Sequence, residues 1–360
     1  MKRALLIFAL FVLVVVAAGF AYVYHTASSA DDAEAGLAPS AADAADIARS
    51  GSSPNQPKGQ QNQLDLVRQL PSGASAIVYA DMAQLRASAF AKELAALAPT
   101  SDQDPQYTAF VRATGFDYSR DLDRAAVALW PHTASTTVLV LAEGRFDRKK
   151  IANYALQTGR VTKEDGLEIY EVPEQGSDRR VRFAFLASNR LVLADGPALN
   201  TLLKPTNANN LDPIMSVRVA QVSGAAIFSV ARTENLPQDI GIDESHDAQL
   251  ARMLKSIRSI SLAGQPDASN LNIAANAECD SALDALQLMT LLDGLRWMGR
   301  AELADPKVRQ QIGPQWRPLD ELLKAASLTH SGRTLRLRAR LTEQMLAIAS
   351  GSPSATPTPQ

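Results

Sequence analysis

Two arrangements of charge in this chain could do chemistry: the carboxylate pair Asp121-x-Asp123 and the alternating guanidiniums Arg336, Arg338 and Arg340. Paired carboxylates can hold Mg²⁺. In phosphatase-like or sugar-transferase-like arrangements such a pair ends an apolar strand, where both carboxylates reach a cleft. Here the apolar run Ala125–Trp130 follows the pair instead, and Arg120 and Arg124 flank it with counter-charge, so it reads as a solvated turn entering a strand. The four histidines, His25, His132, His246 and His330, lie far apart, and none has a second His or Cys at metal-ligand spacing. The phosphate-loop, dinucleotide, zinc-protease, nucleophile-elbow and S-x-x-K signatures are absent. The sequence therefore nominates no catalytic residue, no cofactor-binding residue, no cofactor and no metal ligand, and leaves a triad built from distant residues to geometry.

The cationic candidates are two. Arg145, Arg148, Lys149 and Lys150 sit at the start of an expected helix, where positive charge opposes the helix dipole. A bound phosphate or headgroup would offset that cost; otherwise the side chains are solvated around Asp147 as cap. In Thr334–Leu341, Leu335, Leu337, Ala339 and Leu341 share one strand face, and Arg336, Arg338 and Arg340 the other, about 6.6 Å apart. Such a ladder suits an anionic polymer or lipid headgroups, or protects a sheet edge from pairing. The whole chain carries a formal charge of −2, from 36 basic and 38 acidic residues. No global field selects nucleic acid as partner, and any electrostatic function must be local.

These groups must be positioned by the rest of the chain, beginning with Ala4–Tyr24. That run has no charge and no proline, and at 1.5 Å per residue it spans the roughly 30 Å hydrocarbon core of a bilayer. Lys2 and Arg3 precede it, Tyr22 and Tyr24 close it, and Asp31 is the first charge beyond it. The positive-inside rule puts the N-terminus in the cytoplasm and the remainder in the periplasm or outside. A cleaved secretory signal, cut near Ser28-Ser29-Ala30, exports the same remainder. Cys279 is the only cysteine, so no intramolecular disulfide forms.

The expected organisation is an anchor over 1–25, a disordered polar linker over 26–63, an α+β module over 64–205, a second over 206–350, and a disordered tail over 351–360. In the first module Ala74–Ala80 reads as a strand, Asp81 caps a helix through Ala98, and a helix over Pro105–Thr114 ends at Gly115. Strands follow at Ala125–Trp130 and Thr137–Ala142, then a helix capped by Asp147 that ends at Gly159. Further strands are Glu168–Val172, Val181–Leu186 and Arg190–Ala194, with a short helix opened by Pro197. The second half repeats this order with strands at Ile257–Leu262 and Leu271–Ala275 and a long helix from Asp280 to Ala304. That helix is apolar around much of its circumference, which predicts burial on more than one side. Adjacent strand pairs break strict strand-helix alternation, so the fold class is α+β, antiparallel sheets with packed helices in two diverged copies.

Leu70-Pro71, Tyr79-x-Asp81, Gly115-Phe116-Asp117, Asp121-x-Asp123-Arg124 and Gly144-x-Phe146-Asp147 resemble uncharacterised bacterial membrane-anchored proteins grouped only as a domain of unknown function. The resemblance covers about Leu64–Leu203 and implies an exported, anchored α+β module with no known chemistry. The function expected is non-catalytic binding of an envelope protein, an anionic polymer or a lipid. The alternative is an envelope hydrolase whose site is assembled from scattered residues.

Overall fold

The computed structural model describes residues 58–91, 105–131, 136–164, 166–173, 180–195, 199, 211–233, 253, 255–267, 270–313, 316–342 and 345. The expected anchor Ala4–Tyr24, most of the linker, residues 200–204 of the Pro197 helix and the tail 351–360 lie outside these residues. The described chain forms two compact units. The first takes residues 58–86 and 105–230, and the second takes 87–91 and 231–345.

The first unit contains helices α1 (Lys58–Arg68), α2 (Met82–Arg86), α3 (Pro105–Thr114), α4 (Tyr118–Asp121), α5 (Arg148–Thr158) and α6 (Pro213–Val222). Its strands are β1 (Ala76–Asp81), β2 (Leu122–Pro131), β3 (Thr136–Gly144), β4 (Arg160–Glu164), β5 (Leu167–Pro173), β6 (Arg180–Ala187), β7 (Arg190–Asp195) and β8 (Ile227–Arg232), in the order β8-β1-β2-β3-β7-β6-β5-β4. From β1 to β4 every neighbouring pair is antiparallel. Both faces are packed, which explains the nearly continuous apolar run in β3. On one face Ile151 and Ala155 of α5 meet Tyr170, Phe183, Phe185 and Leu191. On the other, Ile77, Ala126, Leu139, Leu141 and Val192 are fully buried, and Tyr79 stacks on Phe228 at 5.2 Å.

The second unit contains β9 (Ile257–Pro266), β10 (Asn270–Cys279), α7 (Ala282–Ala304), α8 (Pro306–Ile312), α9 (Trp316–Ala325), β11 (Ser327–Ser331) and β12 (Thr334–Thr342), with sheet order β9-β10-β12-β11, all antiparallel. Its apolar face joins Leu271, Ile273, Leu337, Ala339 and Leu341 to Leu303, Leu322 and Leu323 of the helices and to Phe90. The chain is thus mixed helix and antiparallel sheet, the α+β class read from the sequence.

Local chemistry explains most boundaries. Asp81, Asp147 and Asp212 accept hydrogen bonds from the N–H groups of Gln84, Lys150 and Met215 and start α2, α5 and α6. Four details differ from expectation. α1 begins at Lys58, earlier than Leu64. The Asp81 helix stops at Arg86, although Leu85 and Phe90 are buried as expected. β4 and β11 are strands that the sequence reading passed over, because both are almost wholly exposed and carry no apolar alternation. Finally, the unit boundary falls at Val230 rather than near 205.

Gly144 couples β3 to α4. A Cβ there would lie 2.4 Å from the carbonyl oxygen of Asp121, an approach open only to a residue without a side chain. Gly144→Ala should therefore destabilise the protein by about 2 kcal/mol through overpacking, measured as a lower urea midpoint. An unchanged midpoint would show that the turn relaxes freely.

Candidate functional site

Of the two cationic candidates, the arginine ladder is the one whose side chains form no ion pair among the described residues. Along β12, Leu335, Leu337, Ala339 and Leu341 are buried, and Arg336, Arg338 and Arg340 are exposed. The two-residue period of a strand enforces this division, since one face must seal the core beneath α7 and α9. β10 pairs with the whole strand from Thr342 to Thr334, and β11 covers its other side from Arg338 to Thr334 only, so Arg336 and Arg338 lie between two strands and Arg340 lies beyond the β11 pairing. Edge protection therefore does not account for Arg336 and Arg338. Cross-strand neighbours on the same face are Asn272, Ala274 and Asn276 of β10, and Ser327 and Thr329 of β11. Beyond them Gln265 and Ser261 of β9 continue it, with Asn276 Nδ2 donating to Ser261 Oγ at 3.3 Å. Among the described residues no carboxylate forms an ion pair with Arg336, Arg338 or Arg340. Most neighbours of the three guanidiniums are neutral hydrogen-bonding side chains, and Glu278, the carboxylate on the same face of β10, pairs with Arg333 at 3.7 Å, an arrangement complementary to an extended anion.

The second basic cluster is largely committed to the fold. Arg145 Nη2 lies 3.6 Å from Asp121 and donates to the carbonyl of Arg120. The Arg148 guanidinium sits 4.9 Å from the centroid of Phe185, and Lys150 Nζ is 3.5 Å from Asp147. Arg145, Arg148 and Lys149 line a shallow depression of about 630 Å³ with Gly144, Phe146, Ser188 and Asn189. The sequence grouped these four cations by adjacency, whereas the structure sends most of them to separate partners.

The carboxylate pair does not converge. Asp121 is 9% exposed rather than solvated, and its carboxylate accepts from Arg120 Nε and Nη2 and from the Asp117 N–H at 3.0 Å. The Arg120 hydrogen bonds hold its pKa below the usual carboxylate value, against the opposing effect of burial. Asp123 instead meets Arg86 Nη2 at 3.0 Å. Asp117 caps α4 through the Ser119 N–H; burial would raise its pKa, but its hydrogen bonds from Ser119 and Tyr107 outweigh that and lower it. Tyr107, desolvated and donating to Asp117 at 3.2 Å, is pushed up to about 12. His330 lies in β11 rather than in a turn, with its side exposed, while His25, His132 and His246 lie outside the described residues. Cys279 is buried, and desolvation, with Asp284, Asp280 and Glu278 nearby, pushes its thiol up to about 11. No reactive thiolate results.

A group charged only in the buried, hydrogen-bonded carboxylate form ties stability to pH. Because the folded pKa of Asp121 is depressed, its contribution is present above the unfolded value of about 3.9 and is lost as pH falls through the folded value. Asp121→Asn should cost about 2 kcal/mol at pH 7, the scale of hydrogen bonds to a charged group. The deficit should shrink below about pH 4. Urea titrations of both proteins across that range check this, and a deficit constant with pH would place the effect elsewhere.

No family model matches the sequence, and no curated protein matches it. Among solved structures, three crystal forms of TP0453 are similar. Form III has 10% identity and a TM-score of 0.44 over 79% of this chain and 97% of that one. Form I has 11% identity and a TM-score of 0.42 over 79% and 96%. Form IV has 11% identity and a TM-score of 0.44 over 82% and 100%.

Proposed function

We propose that the protein is a membrane-anchored, exported binding module without catalytic activity, and that the Arg336, Arg338 and Arg340 face takes an anionic polymer or lipid headgroups. The observation that carries this reading is the display of three exposed guanidiniums along one face of β12, with no carboxylate paired to them among the described residues. Arginine hydration and side-chain entropy make such a stripe neutral for stability at best, so its benefit is sought outside the fold. Anchoring rests on Ala4–Tyr24 with Lys2 and Arg3 before it. Among the described residues no helix is long and apolar enough to cross a membrane.

The same proposal includes a diverged duplication. The strand orders β2-β3-β7-β6 and β9-β10-β12-β11 coincide. In each, a hairpin is followed by a capped helix, α5 or α7, and, after β4 and β5 in the first and α8 and α9 in the second, by a hairpin, β6–β7 or β11–β12, whose later strand pairs with the first hairpin. Two copies carrying different surface chemistry suit a scaffold whose faces have specialised.

A collective electrostatic site weakens as salt rises, whereas a bland surface does not bind at all. Replacing Arg336, Arg338 and Arg340 together with Gln should change stability by no more than about 0.5 kcal/mol per position. It should also reduce capture of the full chain in detergent by dextran sulfate beads at least tenfold at low ionic strength, with the difference vanishing as salt approaches about 0.5 M. Phosphatidylglycerol vesicles form the second arm and report headgroup binding. Unaltered capture by the triple variant, or no capture by the parent, would remove the ladder from the function.

A further inference from the structure

Helix α7 has an outer stripe that the fold leaves uncovered. Its inner side is conventional: Ala285, Leu288, Leu292, Gly299 and Leu303 are buried against the sheet. A helix this apolar should be covered on both sides. Yet Leu283 is 61% exposed, Leu286 40%, Trp297 70% and Met298 45%. At 3.6 residues per turn these four fall within an arc of about 120°, with Gly294 and Ala301 between them. The only polar side chains inside the arc are the uncharged Gln287 and Thr290. Charge begins at its margin, where Asp293 is neutralised by Arg296 at 2.7 Å. Isolated exposed apolar residues are ordinary, but four large ones on a single uncharged stripe mark an interaction surface.

We infer that this stripe docks on the interface of the bilayer that holds the chain's own N-terminal anchor, an inference that rests on the anchored reading above. The occupant follows from the covalent chain. Residues 25–57 separate the apolar run from Lys58, and even fully extended they reach only about 110 Å. Lys58 opens the first unit, and the second is joined to it at Arg86–Ala87 and Val230–Ala231, so the same tether confines the second unit to the neighbourhood of that surface at a raised effective concentration. The stripe is convex, runs along about 20 Å of helix, and lacks the charge or cleft that would select a protein partner. Its centre of exposure is an indole, whose apolar body and N–H donor favour the headgroup boundary. The arginine ladder lies on the opposite face of the same sheet, since α7 packs over the Leu337 and Ala339 side. With the stripe on the bilayer, the ladder points away from it, toward a soluble or polymeric anion rather than the same headgroups.

The test uses the full chain reconstituted in phosphatidylcholine vesicles, with and without acyl chains brominated at mid-length. Trp297 fluorescence is isolated as the difference between the parent and Trp297→Phe. Bromolipid should quench that component at least twofold more than the remaining tryptophan signal. Leu283→Ser with Leu286→Ser, both solvent-facing, should keep the far-UV dichroism and lose at least half of the quenching. Carbonate extraction of the same vesicles reads the anchor alone. A chain that resists extraction but shows no Trp297 quenching overturns the docking and leaves the anchor intact. An extractable chain overturns the anchored reading and this inference with it. Trp297 buried instead between two copies, seen as a dimer in detergent that Trp297→Phe dissociates, would give the stripe to self-association and overturn the inference as well.

Discussion

A carboxylate buried in the middle of a sheet constrains the first unit more than any other single group. Glu143 on β3 is 5% exposed. It faces Arg124 of β2, 3.0 Å away, on one side and Arg190 of β7 on the other, and Arg190 Nη1 reaches onward to Gln69 Oε1 at 2.8 Å. These are direct cross-strand pairs in both ladders. A slip of one residue would move the carboxylate to the opposite, aromatic face and leave both guanidiniums without it. Because breaking a buried pair leaves an uncompensated charge, with losses on the order of 3–5 kcal/mol, the triad acts mainly as a register lock. Its position at the end of β2 and β3 also fixes the neighbouring turn, where the Arg145 N–H bonds the carbonyl of Asp121 at 2.9 Å.

That turn accounts for several residues of the short motifs singled out in the sequence. Asp81, Asp117 and Asp147 are helix caps, Asp121 ties the α4 turn together, Gly115 takes a φ of +75° after α3, and Gly144 admits the α4 carbonyl. Each landmark is explained by local backbone satisfaction, with caps worth about 1 kcal/mol apiece. None requires a substrate. The paired aspartates, which looked the most enzyme-like in the sequence, serve two separate arginines instead.

Elements whose apolar period and caps agreed were legible: β2, β3, α5, α7 and β12 were each read within about three residues. The α+β class followed from adjacent strand pairs. β4 and β11 lacked a burial signal rather than a turn signal. Gly166, at a φ of +83°, lies between β4 and β5, and Gly332-Arg333 lies between β11 and β12. Both are hairpin punctuation, and Asp212-Pro213 is a cap and first-turn proline for α6. The alternation that exposes Arg336, Arg338 and Arg340 was visible because it is local. Whether β12 was an edge was not, because that depends on β11 folding back from 327–331, a pairing the exposed side chains of β11 do not advertise. Burial of Asp121 was illegible for the same reason, since Arg145 reaches it from another element.

The second unit shows why its two faces must be read together. One sheet can seal only one core, and the leucines of β12 commit its inner face to α7 and α9. The outer face is then free to be polar, and it carries cations where a neutral sheet face would fold equally well. On the far side, α7 completes the core with one arc and exposes an apolar arc that the core does not use. Both features cost solvation or solubility in an isolated domain, and neither is required by packing. Their separation by the thickness of a sheet and a helix makes the unit two-sided, with an exposed apolar arc on one side and exposed guanidiniums on the other. Under the anchored arrangement we propose, such a body has two different environments to meet, and this division of surface chemistry suits that constraint.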